Sequence, residues 1–168
     1  MKSPHLLRAA PNVRKLKDNL INVVTADAIS AIETEIRTNV AQLYALGLNH
    51  YYFAARQNNR SWRQKISRLY YAAYNVSRAV RLCVSGEYSI DSSDHKKIDT
   101  LPDDFPNRNR YANRLTVLRD DRNLCDYDHT AKFASSWSAC PTRSNWCNNS
   151  SMTPKYICEC EALARQLI

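Results

Sequence analysis

The residues best equipped for chemistry stand together in the run Leu115-Thr-Val-Leu-Arg119-Asp-Asp-Arg122-Asn123-Leu-Cys-Asp126-Tyr127-Asp128-His129. Arg119, Arg122, Asp126, His129 and Phe133 recur at steps of three, four, three and four, so on a helix they share one face. A guanidinium, a carboxylate and an imidazole on one strip suit metal-free phosphodiester chemistry. The Arg fork binds phosphate oxygens bidentately and stabilises charge developing on phosphorus, while an imidazole titrating near neutrality moves a proton at a ribose hydroxyl or a leaving oxygen. On spacing alone a plainer reading is more economical: Arg122 and Asp126 form an ordinary i, i+4 salt bridge, and His129 is an exposed neighbour.

The elements that must carry this strip follow from composition and periodicity. The chain has 168 residues and only two glycines, Gly47 and Gly86, which argues against turn-rich β folds and excludes GxGxxG and Walker A phosphate loops. Apolar residues Ile29, Ile32, Ile36, Val40, Leu43 and Leu46 predict a helix from about Thr25, with N-cap chemistry at Thr25 and Asp27, to a break or C-cap at Gly47. Residues 49–59 either continue it or form a short helix of their own. A second helix is predicted from about Ser61 to Ser85, with Ile66, Leu69, Ala73, Val76, Val80 and Cys83 as its buried stripe. Its other stripe, Ser67, Tyr71, Tyr74, Arg78 and Arg81, reads equally as a partner surface or as core edge with hydroxyls in water.

Residues 88–107 read as a loop with at most a short helix near His95. A third helix is predicted over about Arg108–Trp137, with Val117, Leu124, Tyr127, Ala131 and Ala134 as its apolar face. After a polar loop a final helix follows Pro154. The expectation is one all-α domain over 1–168, an antiparallel bundle of four to five helices, with 1–24 a frayed or docked basic arm or an extra helix and the core over about 25–168.

Two blocks resemble the HEPN family (higher eukaryotes and prokaryotes nucleotide-binding domain). Ser67-Arg68-Leu69-Tyr70-Tyr71-Ala72-Ala73-Tyr74-Asn75 is similar to the Arg-x-Tyr-Tyr-Ala-x-aromatic block of its second core helix. Leu115 to His129 resembles its later helix, with Arg122, Asn123 and His129 fitting the Arg-polar-x(n)-His ribonuclease motif. The resemblance implies a homodimer with two such strips across a shared groove, and a metal-independent endoribonuclease of toxin-antitoxin or phage-defence type, often beside a minimal nucleotidyltransferase antitoxin. It implies that Arg122 holds the scissile phosphate, that Asn123 orients the site and that His129 is general acid or base. Asp126 is expected to help orient them, with Arg119, Tyr71 and Arg78 as substrate contacts. Toxins regulated through a modified tyrosine carry it two residues after the histidine; here that position is Ala131, so no such regulation is expected.

A formal charge of +8, from 24 Lys and Arg against 16 Asp and Glu, makes RNA a plausible partner. No signal peptide or membrane span is read from the sequence, so a cytoplasmic location and reduced cysteines are expected. Cys140, Cys147, Cys158 and Cys160 could hold structural zinc, but they lack paired Cys-x(2-4)-Cys knuckles; buried or free thiols are the default, and neither metal nor cofactor is expected. His5, His50 and His95 read as isolated surface or loop residues. Two rival functions are a silent nucleotide-binding or adaptor bundle and a nucleic-acid-binding accessory subunit relying on scattered Lys and Arg.

Overall fold

A computed structural model describes residues 10–103, 105 and 107–131. Among them lie four α-helices: α1 Val13–Leu20, α2 Ala26–Arg56, α3 Trp62–Ser85 and α4 Arg108–Tyr127. Short 3-10 segments span Asn59–Ser61 and Ser92–Lys97. The all-α expectation therefore holds for the described residues, where extended pairing is limited to one isolated bridge, Asn12 to Glu87. None of the described helices is long and apolar enough to cross a membrane.

Helix α2 starts where Thr25 caps it, its hydroxyl accepting the Ala28 N–H at 3.3 Å. It does not stop at Gly47, as the sequence suggested, but continues through it to Arg56. Gly47 is there because α3 crosses at that point. A Cβ would stand 2.8 Å from Val76 Cγ2 and 3.0 Å from the Ala72 carbonyl oxygen. The glycine lowers helix propensity but permits close approach of the two helices, and packing decides. Gly86 behaves as expected: at φ 71° it caps α3 in the left-handed region, its N–H bonded to the Leu82 carbonyl at 3.1 Å.

The helices pack in antiparallel succession. Lys17 reaches Glu33 at 3.1 Å between α1 and α2. His50 meets Arg68 and Tyr71 between α2 and α3, while Arg63 and Tyr71 meet the C-terminal half of α4. The part of the basic opening that lies in α1 is docked: Val13 is fully buried, its N–H bonds the Gly86 carbonyl at 2.9 Å, and the Arg14 guanidinium bonds the Cys83 carbonyl.

Helix α3 is central and is buried on more than the single stripe that its sequence suggested. One core cluster joins Ala79 and Leu82 to Val13, Ile36, Val40 and Leu43. The other joins Tyr70, Ala73 and Tyr74 to Ile98 and Leu101 of the loop and Leu115 of α4. Between them lies a buried polar knot. Asp94, 0% exposed, accepts two bonds from Arg81 at 2.9 and 3.1 Å and one from the Tyr74 hydroxyl at 2.8 Å. Arg78 Nε stands 3.3 Å from the same carboxylate. Burial pushes the Asp94 carboxyl up, but the Arg81 bonds and charge, with Tyr74 and Arg78, outweigh it and hold the pKa below the usual range. So Tyr74 and Arg81 of the expected partner face are interior residues, and the Tyr74 hydroxyl is not in water.

Helix α4 departs most from expectation. It ends at Tyr127 rather than near Trp137, and Val117 and Tyr127, expected on the apolar face, are 39% and 73% exposed. The face turned to α3 runs through Tyr111, Leu115, Leu118 and Cys125 instead, and Arg122 falls on the same stripe. Phe133, Ala134, the four C-terminal cysteines and the final helix lie outside the described residues.

Two stability predictions follow from these contacts. Gly47→Val should lower unfolding free energy by about 1–3 kcal/mol through overpacking, read as a lower urea midpoint at unchanged m-value. Asp94→Ala should cost about 3–5 kcal/mol because two guanidiniums lose their buried counter-ion. In the wild type the Asp94 contribution is present above the ordinary carboxyl value and fades as pH falls through its depressed folded value; thermal unfolding of Asp94→Ala should lack that acid limb.

Candidate functional site

Arg122 sits where a core residue would be, and its surroundings explain how a guanidinium is tolerated there. Its Nη2 donates to the Tyr71 hydroxyl at 2.9 Å, and its Nη1 donates to Asn123 Oδ1 at 3.1 Å and to the Tyr127 hydroxyl at 3.3 Å. Nε lies 2.8 Å from Asp126 Oδ2, an ion pair in which the N–H is not aimed at the oxygen. The guanidinium carbon is 5.5, 5.6 and 5.3 Å from the ring centres of Tyr70, Tyr71 and Tyr127, within cation-π range. Burial alone would lower its pKa, but the bonds to Tyr71 and Tyr127 and the Asp126 charge reverse the shift and raise it. Arg122 is therefore a permanent, oriented cation in an aromatic recess.

Four expected site residues thus come together: Arg122, Asn123, Asp126 and Tyr71. Arg119, one turn before Arg122, keeps a 3.4 Å contact with Asp120, and its charge reaches Tyr70. Arg78 is occupied elsewhere: it pairs with Asp94, donates to the Ser89 carbonyl at 2.7 Å, and lies over the Tyr74 and Tyr88 rings. His129 is not on the helical strip. It is exposed, in the turn two residues after the last helical residue, and among the described residues it takes no part in the Arg122 bonds.

The turn that carries His129 has two physical causes. Asp128 Oδ1 accepts from the Thr130 N–H at 2.8 Å and from its hydroxyl at 2.7 Å, a local competition that ends helices. Those bonds, with the neighbouring His129 charge as a smaller contributor, hold the Asp128 carboxyl low. Arg63, from the first turn of α3, takes up the carbonyls at the end of α4: Nη1 donates to Cys125 at 2.6 Å and Asp128 at 2.9 Å, and Nη2 to Ala131 at 2.7 Å. The His129 turn is thereby tied to α3.

Sequence reasoning set aside two imidazoles that lie beside the recess. His95 Nδ1 is 2.6 Å from the Tyr70 hydroxyl, and its ring stacks on Tyr74 at 4.3 Å. His50 lies 5.8 Å from the Tyr71 ring and 3.3 Å from the Arg68 guanidinium. Burial lowers the pKa of both, aided by Arg122 for His95 and by Arg68 for His50. Tyr70, also missed, is pushed up to about 12 by burial, so its hydroxyl stays protonated. The one available signal was the Asp94-His95 pair itself, in a loop without periodicity to say what it faces.

The depressed imidazoles set a sign for pH dependence. Above the ordinary histidine value of 6.5 they are neutral in both states. As pH falls below that value the unfolded chain binds protons first, so stability declines toward the lower folded values. Urea midpoints measured from about pH 7.5 to 5.5 should fall for the wild type and fall less for His95→Gln. Compared with known proteins, the chain finds no match among family models, curated proteins or solved structures.

Proposed function

We propose that the chain is a metal-independent endoribonuclease of the toxin-antitoxin or phage-defence kind, a cytoplasmic HEPN-like homodimer whose Arg122 recess receives the scissile phosphate. The observation that carries this reading is the held guanidinium: a cation fixed by Tyr71, Asn123 and Asp126 keeps its orientation when charge develops on phosphorus. Exposed aromatic surface at Tyr127 and the net charge of +8 suit a single-stranded polyanion.

In this mechanism the 2′-oxygen attacks phosphorus, its proton passing to a base, and the bond to the 5′-oxygen breaks as that oxygen takes a proton. Arg122 neutralises the phosphoryl oxygens throughout. His129, solvent-reachable and adjoining the helix that carries Arg122, supplies or removes one of the two protons. A second strip from the other protomer completes the groove, and a minimal nucleotidyltransferase is the antitoxin partner that fits this role.

One observation favours the silent nucleotide-binding or adaptor reading: Arg122 is already engaged by Tyr71, Asn123 and Tyr127, and His129 stands outside its bonds. Incubating the purified full chain with labelled RNA in the presence of EDTA separates the two. Cleavage is expected, reduced about 10²–10³-fold in Arg122→Ala and about 10²–10⁴-fold in His129→Ala. RNA that is bound but left intact by the wild type, with no growth arrest on expression, would hand the case to the silent bundle.

A further inference from the structure

The Tyr70-His95 bond has a direction that chemistry settles. Tyr70 is 1% exposed and its hydroxyl keeps its proton, so that proton needs an acceptor. His95 Nδ1, at 2.6 Å, is its hydrogen-bond partner among the described residues. The hydroxyl therefore donates to Nδ1, and in the neutral ring the imidazole proton resides on Nε2. Stacking on Tyr74 at 4.3 Å fixes the ring plane, and the opposite edge of this half-buried ring carries a donor with no partner among the described residues.

The ring lies in the fields of Arg122 and Arg78, which disfavour its charged form, and of Asp94, which favours it. Tyr71 links the two groups: its ring meets His95 edge-on at 6.4 Å, and its hydroxyl accepts from Arg122. Arg119 and Arg122 pair with Asp120 and Asp126, and Arg78 and Arg81 share Asp94. A histidine present only to satisfy Tyr70 gains nothing from a neighbouring guanidinium that disfavours its charged form. An oxyanion bound by both reverses that repulsion.

Extending the ribonuclease reading on which it rests, we propose that His95 is a second phosphate-contacting residue of the recess, its Nε2–H donating to an oxygen of a ribonucleotide phosphate that Arg122 also holds. The ligand class is the phosphoryl group of a ribonucleotide, free or within RNA, with tyrosine faces beside it for a base.

Histidine ring resonances of the full-length protein, titrated separately with inorganic phosphate, AMP and a short single-stranded RNA, test this. His95 should shift with at least one probe. A shift with RNA alone identifies the chain phosphodiester as ligand, and a shift with AMP or phosphate alone identifies the free nucleotide. The paired substitution His95→Phe with Tyr70→Phe keeps the stack and leaves no orphaned hydroxyl. It should weaken binding of the active probe about ten- to hundredfold, as loss of one charge-assisted hydrogen bond implies. His95→Gln, which keeps a donor, should retain most of the affinity. Absence of any His95 shift, or wild-type affinity in the folded double variant, overturns the proposal. Binding through His95 without RNA cleavage removes the nuclease activity and keeps this site, whereas full cleavage by the double variant does the reverse.

Discussion

A carboxylate with no access to water cannot remain charged inside a helical domain unless cations and donors surround it, and Asp94 organises the middle of this molecule on that condition. Arg81 grips it with two bonds, Tyr74 with one, and Arg78 adds a second positive charge. All three partners lie on α3, so the loop bearing Asp94 is pinned along that helix. The loop then has no freedom to place Ile98 and Leu101 anywhere but in the second core cluster, against which α4 packs. Position and charge are thus settled together: the knot sets where the loop lies, and the loop sets where α4 and its arginines can lie.

Helix α4 extends the same rule to its own buried stripe. Tyr111, Leu115, Leu118 and Cys125 face the bundle for ordinary hydrophobic reasons, and Arg122 shares their face. A cation there is unfavourable without partners, which accounts for the Tyr71 bond, the Asp126 ion pair and three tyrosine rings around one guanidinium. Stability alone would be served as well by a leucine, since buried ion pairs rarely repay their desolvation. On the proposed reading, the arginine at this position serves binding more than it serves stability.

Legibility in the sequence tracked the range of the governing interaction. Helices α2 and α3 start and end where local chemistry acts, at the Thr25 cap and the Gly86 turn, and both were readable. Gly47 was misread because its reason is a crossing helix more than twenty positions away in sequence, and no local pattern encodes that approach. The end of α4 was misread because Arg63 takes up its last carbonyls from across the bundle, while Asp128 Oδ1 accepts the Thr130 N–H. Arg122 and Asp126 were legible as neighbours on one helix face through their spacing, whereas Asn123 was singled out only through the resemblance and Tyr71 through its aromatic, basic stripe. His95 was not, since its meaning depends on Tyr70, Tyr74 and Arg122, which only the fold brings to it.

Three of the guanidinium's hydrogens are engaged by Tyr71, Asn123 and Tyr127, yet these partners are not equal. Tyr71 is partly buried and close, at 2.9 Å, so exchanging its bond for one to a ligand would strand a hydroxyl at the edge of the core. Tyr127 is 73% exposed and its bond is long, at 3.3 Å. Released from Arg122, its hydroxyl returns to water at almost no cost. On the proposed reading, an entering phosphate takes the Nη1 hydrogen from Tyr127 and meets the second Nη2 hydrogen, while Tyr71 and Asp126 keep the guanidinium plane in place. The displaced ring lies at the rim, where a base can stack on it. The same bonds that make Arg122 look satisfied are therefore divided between a pair that orients it and one that a polyanion can replace.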